Sequence, residues 1–273
     1  MANCWFANRR QSSRWRNVIL FFDIVFARLQ PTAAPVIPLN YAGVSKTVPS
    51  PEKQNNWLLW QLADSAFPTG GFAHSGGLEA AWQHGEVRNS VELAAFIDAS
   101  LHQFGHGSLP FMTAAHDRPE DFIELDRLSE SFITSHVANR ASRLQGKALL
   151  TSADRIFAMP ALQHLRRTVD LETSCCHLAP IFGVMAHSFE IGRDAAARLF
   201  FFLHLRGLIA SAVRLGIVGP LEAQGLQYRF GTQVEEQMAV YLRLSLDEIA
   251  QTSPLLELRQ GAQDRLYSRL FQS

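Results

Sequence analysis

Apolar residues recur from Trp57 onward at intervals of three and four, the spacing of a helix face turned toward a core. A first such run, Trp57 to Phe67, and a second, Leu78 to Trp82, flank a segment holding Pro68, Gly70, Gly71, Gly76 and Gly77. Pro68 is expected to end the first helix, because the residue before a proline is pushed out of the helical region. Phe72 and the flanking tryptophans predict a loop packed onto the body rather than extended into solvent. Asn89 or Ser90 caps a helix to about Phe104, which Gly105 and Gly107 end, and Pro110 opens the next. Pro119 opens a helix carrying Phe122, Leu125, Leu128 and Phe132; Ser135 starts one with Ala141, Leu144, Ala148 and Leu149. Cys176 to Phe189 is apolar and expected to be buried. Asp194 starts a helix to about Leu215, so apolar over Leu199–Leu205 that it belongs at the centre of a bundle. Gly216, Gly219 and Pro220 close it, and Thr232 with Glu235 spells a capping box for the following helix. With no alternating strand pattern and no internal repeat, the chain reads as all-α, a single-domain bundle of roughly ten helices over residues 54–273.

Residues 1–53 differ in kind. Arg9, Arg10, Arg14, Arg16, Arg28, Lys46 and Lys53 face two acids, Asp23 and Glu52, so this extension is about +5 and the remainder about −5. Val18–Phe22 is apolar, but Asp23 interrupts it far short of the roughly 18–20 residues that span a bilayer. An Arg-rich, acid-poor start resembles an organelle transit peptide; a disordered extension ending in a proline-containing linker over residues 31–53 is the favoured reading. The whole chain is 47% hydrophobic, enough for a large core, and its formal net charge of zero argues against nucleic acid as the main partner. Cys4, Cys175 and Cys176 make no disulfide framework, since two of the three are adjacent, and they suit a reducing compartment such as the cytoplasm.

The segment Asp64–Glu79 fails three catalytic spellings. A P-loop needs a lysine and a hydroxyl residue after its last glycine, where Gly77 and Leu78 stand. A dinucleotide fingerprint needs a preceding strand. A nucleophile elbow at Ser75 would need glycines where Ala73 stands, and His74 is too close in sequence to serve Ser75 as an in-line base. His102 and His106 share a helix face but have no third ligand of matching spacing. Cys175–Cys176–His177 suits nickel by ligand type, yet adjacent helical cysteines point about 100° apart, which favours buried, inert thiols. Arg143, Arg206 and Arg214 lie in apolar helices and need partners: a structural ion pair with Asp64 or Glu79, or a carboxylate on another protein. The aromatic tail Leu266–Ser273 is either tied down or ordered on a partner through Phe271.

The segment Asp64–Ser65–Ala66–Phe67–Pro68–Thr69–Gly70–Gly71–Phe72–Ala73–His74–Ser75–Gly76–Gly77–Leu78–Glu79 resembles the signature of the urease accessory protein family UreF. The resemblance continues in order through Ser142–Leu150, His177–Gly183, Arg206 with Arg214–Gln224, and Leu266–Ser273, covering about residues 57–273; the closing block is most similar to plant-type members. It implies a non-enzymatic chaperone of nickel-urease maturation: a homodimer that joins UreD (UreH), recruits the GTPase UreG onto apo-urease and couples GTP hydrolysis to nickel delivery. It implies no tightly bound cofactor and no resident metal, with GTP held by UreG and nickel handled by the complex. It also implies that Gly70, Gly71, Phe72, His74, Ser75, Gly77 and Glu79 form a partner-facing or dimer-supporting surface, with Arg143, Gln145, Gly146, Arg206, Arg214, Gly219, Pro220 and Gln224, and that Arg269 and Phe271 in the tail serve UreD docking. A direct nickel-binding metallochaperone and a serine hydrolase using Ser75 are the alternative readings.

Overall fold

The computed structural model describes residues 51–171 and 174–273; the basic extension, with its transit-peptide and disorder readings, lies almost wholly outside the described residues. Among the described residues there are ten α-helices and no strand. They are α1 (Pro51–Ala63), α2 (Leu78–Gln83), α3 (Ser90–Asp117), α4 (Phe122–Phe132), α5 (His136–Phe157), α6 (Pro160–Leu171), α7 (Leu178–Ser188), α8 (Arg193–Arg214), α9 (Pro220–Tyr241) and α10 (Pro254–Ala262). The short apolar α7 lies innermost, wrapped by α3, α5 and α8, and α9 packs on α8. Residues 51–53, read as the end of a linker, are the first turn of α1, with Pro51 at the helix start.

Several boundaries differ from the sequence pattern, each for a packing reason. α3 does not stop at Gly105 and Gly107 but runs on to Asp117. A Cβ at Gly105 would overlap the Tyr241 ring, and one at Gly107 would press on Phe132. Both glycines are therefore sites of close approach, worth more than the roughly 1 kcal/mol that glycine costs inside a helix. Pro110 sits within the same helix; the carbonyl of His106, which its missing N–H would have satisfied, accepts from Ala250 N at 3.2 Å. α1 ends at Ala63 rather than at Pro68, with the Asp64 carboxylate accepting from Ala66 N at 2.8 Å in a local turn that competes with the helix. Thr232 caps nothing: it lies mid-helix in α9 and its hydroxyl donates to Tyr228 O, while the capping box is at Ser245 and Glu248. The predicted caps Asn89 and Ser135 are present, their side chains accepting from Val91 N and Glu92 N and from Ala138 N.

α8 is long and apolar enough to cross a membrane, but Leu199, Phe200, Phe201, Leu205, Leu208 and Ile209 are buried in the core while Phe202 and Arg198 face outward. It is a core helix with one wet face, and the central place expected for it is taken by α7.

Candidate functional site

Helix α5 carries two stripes at helical spacing. Gln145, Ala148 and Ser152 face the loop between α1 and α2: Ala148 lies under Gly70, Gln145 under Gly71, and Ser152 Oγ donates to Pro68 O at 2.8 Å. Ser142, Gly146, Leu149, Leu150 and Ala153 face inward, toward the segment that enters α7. The two stripes organise two networks.

The first joins the loop to the C-terminal tail. Gly70 and Gly77 adopt φ of 73° and 88°, which glycine tolerates without strain. These turns bring Ser75 N to Ser273 O at 2.5 Å and Ala73 O to Gln272 N at 2.8 Å, a short backbone pairing of loop and tail. Glu79, 1% exposed, accepts from Leu270 N (2.6 Å), Phe271 N (3.1 Å) and the buried Gln263 Nε2 (2.6 Å). A buried carboxylate is tolerated only when hydrogen-bonded in this way. Arg214 donates to Phe72 O at 2.5 Å and lays its guanidinium 4.2 Å from the centroid of the Phe271 ring; Arg206 donates to Ala63 O. Burial lowers Arg206, with Asp64 opposing. Arg269 pairs with Asp264 at 3.1 Å, and Asp264 also takes both terminal nitrogens of Arg140.

Eight predicted residues thus meet: Gly70, Phe72 through its carbonyl, His74, Ser75, Gly77, Glu79, Arg214 and Phe271. Phe271 is 3% exposed and belongs to the chain's own core, so the expectation of a free partner anchor does not describe this state; Tyr267, fully exposed, and Leu270 are the tail's outward apolar side chains. Phe72, expected to pack down, is 73% exposed, because Gly70 and the Arg214 bond turn its side chain away while holding its backbone. Neither Arg206 nor Arg214 pairs with Glu79, which the tail's N–H groups already occupy. Gly219, Pro220 and Gln224 lie exposed at the α8–α9 turn, outside this network.

His74 turns its Nδ1 to Ser273 Oγ at 2.5 Å rather than to Ser75; burial and the Arg140 charge lower its pKa to about 4. Ser75 is buried and its Oγ accepts from Glu79 N at 3.4 Å, so the hydrolase arrangement is not formed. Replacing Glu79 with alanine should free residues 266–273. The loss is capped by the tail's own docking energy, since an undocked tail regains water for its N–H groups, and we expect about 2 kcal/mol. Amide exchange at Leu270 and Phe271 reports it directly; protection as strong as in the wild type would refute the clamp.

The second network was not visible as a unit in the sequence. Asp126, 1% exposed, accepts from Cys176 N (3.0 Å), His177 N (2.7 Å) and Ser174 Oγ (2.6 Å). Ser142 Oγ contacts His177 Nδ1 at 3.1 Å and accepts from Leu178 N at 3.2 Å. Glu130 meets His177 Nε2 at 2.8 Å. Gly146 lets α5 approach this backbone. Cys176, at φ 67°, is buried, and burial with Asp126 pushes its thiol up to about 12. Burial and Glu130 also raise Cys175, with exposed Arg143 opposing. The available signal was Asp126 and Glu130, two carboxylates one turn apart beside the apolar stripe of α4. His102 and His106 stack at 4.3 Å, but His106 Nδ1 bonds His102 O, which does not aim the pair at one ion.

Comparison with known proteins adds a family to this geometry. Residues 87–231 match the family model described as UreF, a span that includes Arg143–Gly146, Arg206, Arg214 and Gly219–Gln224 but neither the loop nor the tail. Urease accessory protein F of Oryza sativa subsp. indica is 39% identical over 219 residues, 79% of this chain and 84% of that protein. Urease accessory protein F of Arabidopsis thaliana is 37% identical over 219 residues, 79% of this chain and 91% of that protein. A bacterial relative, urease accessory protein UreF of Arthrobacter sp. (strain FB24), is 29% identical over 219 residues. These relatives are named as accessory proteins and not as enzymes, and by the model match and the plant identities the chain belongs to the UreF family of urease accessory proteins.

Proposed function

We propose that this chain serves urease maturation as a non-catalytic scaffold in the cytoplasm. In this reading it acts as a homodimer, joins UreD (UreH) to the GTPase UreG on apo-urease, and helps couple GTP hydrolysis on UreG to delivery of nickel, which is cargo rather than resident cofactor. Family membership supports the role in maturation. The observation that carries the scaffold reading is Phe72. A large apolar side chain stands in solvent at the tip of a loop whose backbone is held by Arg214 and whose flanks are held by Ser152 and the tail. Rigid presentation of an aromatic reduces the ordering cost of association and suits a hot spot. Trp57 and Trp60 of α1 are exposed as well.

Phe72→Asp tests it. Having no core contact to lose, the variant should keep its stability within about 0.5 kcal/mol. Co-purification of the full chain with UreD and UreG of the same source should fall about tenfold or more, the effect of losing an anchor worth at least 1.4 kcal/mol. Undiminished assembly would overturn the assignment of this loop as a docking surface.

A further inference from the structure

One carboxylate oxygen of Glu130, the sulfur of Cys175 and one imidazole nitrogen of His177 lie within 4.8 Å of one another. We propose that these three side chains form a site for a divalent first-row transition cation of borderline softness, the class of zinc, nickel and cobalt, with a fourth position open to water or an incoming ligand. A mixed nitrogen, sulfur and oxygen donor set favours this class over magnesium and calcium, which prefer oxygen alone.

The ligands are held before any ion arrives. His177 is fully buried, and Ser142 Oγ at Nδ1 leaves Nε2 pointing at the trio. Asn139 Nδ2 donates to Glu130 Oε2 at 3.1 Å and fixes that carboxylate. The backbone that carries Cys175 and His177 is pinned by the three bonds to Asp126. Such outer contacts orient ligands and set their tautomers in metal sites. Glu130 is 39% exposed and Cys175 is half-buried, so one side is open to entry. Cys176 is turned into the core and takes no part, which removes the difficulty of two adjacent cysteines on one ion. On binding, the Cys175 thiol proton leaves to solvent. The Nε2 proton that His177 donates to Glu130 is also released, the remaining imidazole proton is held on Nδ1 and donated in a hydrogen bond to Ser142 Oγ, and Nε2 is then free to ligate.

The site stands on this geometry alone and not on the scaffold reading. Assembly with UreD and UreG by a chain that binds no cation would overturn the site and leave the scaffold intact.

Cobalt titration of the full chain tests it, because a thiolate-to-cobalt charge-transfer band in the near ultraviolet reports the sulfur ligand. The expected result is saturation at about one equivalent, with zinc displacing the band. Cys175→Ser should abolish the band, and Glu130→Gln, which keeps a side-chain oxygen to accept from His177 and Asn139, should weaken binding about tenfold or more. Cys4→Ala, Cys176→Ala and His102→Ala should retain the band. Absence of the band at stoichiometric cobalt, or its persistence in Cys175→Ser, would mean a hydrogen-bonded trio only.

Discussion

Gly146→Ala is expected to lower the stability of the fold by about 3 kcal/mol or more, the largest loss we anticipate from a single added methyl group. The new Cβ would overlap the carbonyl oxygen of Cys176 and stand 2.8 Å from the carbonyl carbon of His177. Those atoms are backbone, and three bonds to Asp126 and one to Ser142 hold them in place. Relief therefore requires either lifting α5 from α7 or breaking hydrogen bonds to a buried carboxylate. The intrinsic gain of replacing a helical glycine with alanine is only about 1 kcal/mol, so the clash wins. Gly231→Ala in α9 supplies the contrast: nothing lies within 4 Å of its Cβ, and the same substitution there should raise stability by up to about 1 kcal/mol. Thermal unfolding of the two variants separates them, at about 2–4 °C per kcal/mol for a domain of this size. A Gly146→Ala protein as stable as the wild type would mean that α5 and the entry to α7 are not in contact.

Acidification is expected to unfold the protein through its histidines before its carboxylates. Burial lowers His204 to about 4, and burial with the Arg140 charge lowers His74 to about 4, both from 6.5. Above pH 6.5 each is neutral in both states. Below it the unfolded chain takes up a proton that the folded chain refuses until about pH 4, so stability falls as pH drops through that window. The slope approaches about 1.4 kcal/mol per pH unit per histidine, and with partial solvent access each contributes about 2 kcal/mol over the range. Glu130, Glu235 and Asp264 are held below their ordinary range, so their contributions are lost at lower pH. His204 stacks on Phe104 and meets Ser100 Oγ at 2.9 Å. His204→Gln keeps a neutral hydrogen-bonding group there. Its cost at neutral pH is an offset; the readout is the slope between pH 6.5 and 4.5, which should flatten. An unchanged slope in denaturant unfolding would remove His204 from this account.

Helices, caps at Asn89 and Ser135, and the buried character of Cys176–Phe189 follow from the sequence alone, because spacing of three and four and a hydroxyl or amide at a helix start are local properties. The family was legible as well, since its signature is a string of adjacent residues. The places where the pattern misled share one cause. Gly105 and Gly107 read as helix breakers until Tyr241 and Phe132 pack against them. Pro110 reads as a helix start until Ala250 satisfies the carbonyl it leaves open. Thr232 and Glu235 have capping spacing, yet packing carries α9 straight through them. Glu79 reads as an ion-pair partner for a core arginine or as part of a partner-facing surface until the tail, 191 and 192 positions away, supplies its donors. Glu130 and Cys175 stand 45 positions apart and meet only because α4 packs directly against α7 and the segment leading into it. What the sequence by itself determined is which residues are helical and which helix faces are apolar, for those depend on neighbours within a turn. Which glycine is a contact, which carboxylate is buried and which aromatic stays in solvent was decided by the tertiary structure, because burial and hydrogen-bond satisfaction depend on partners that only the packed chain brings near.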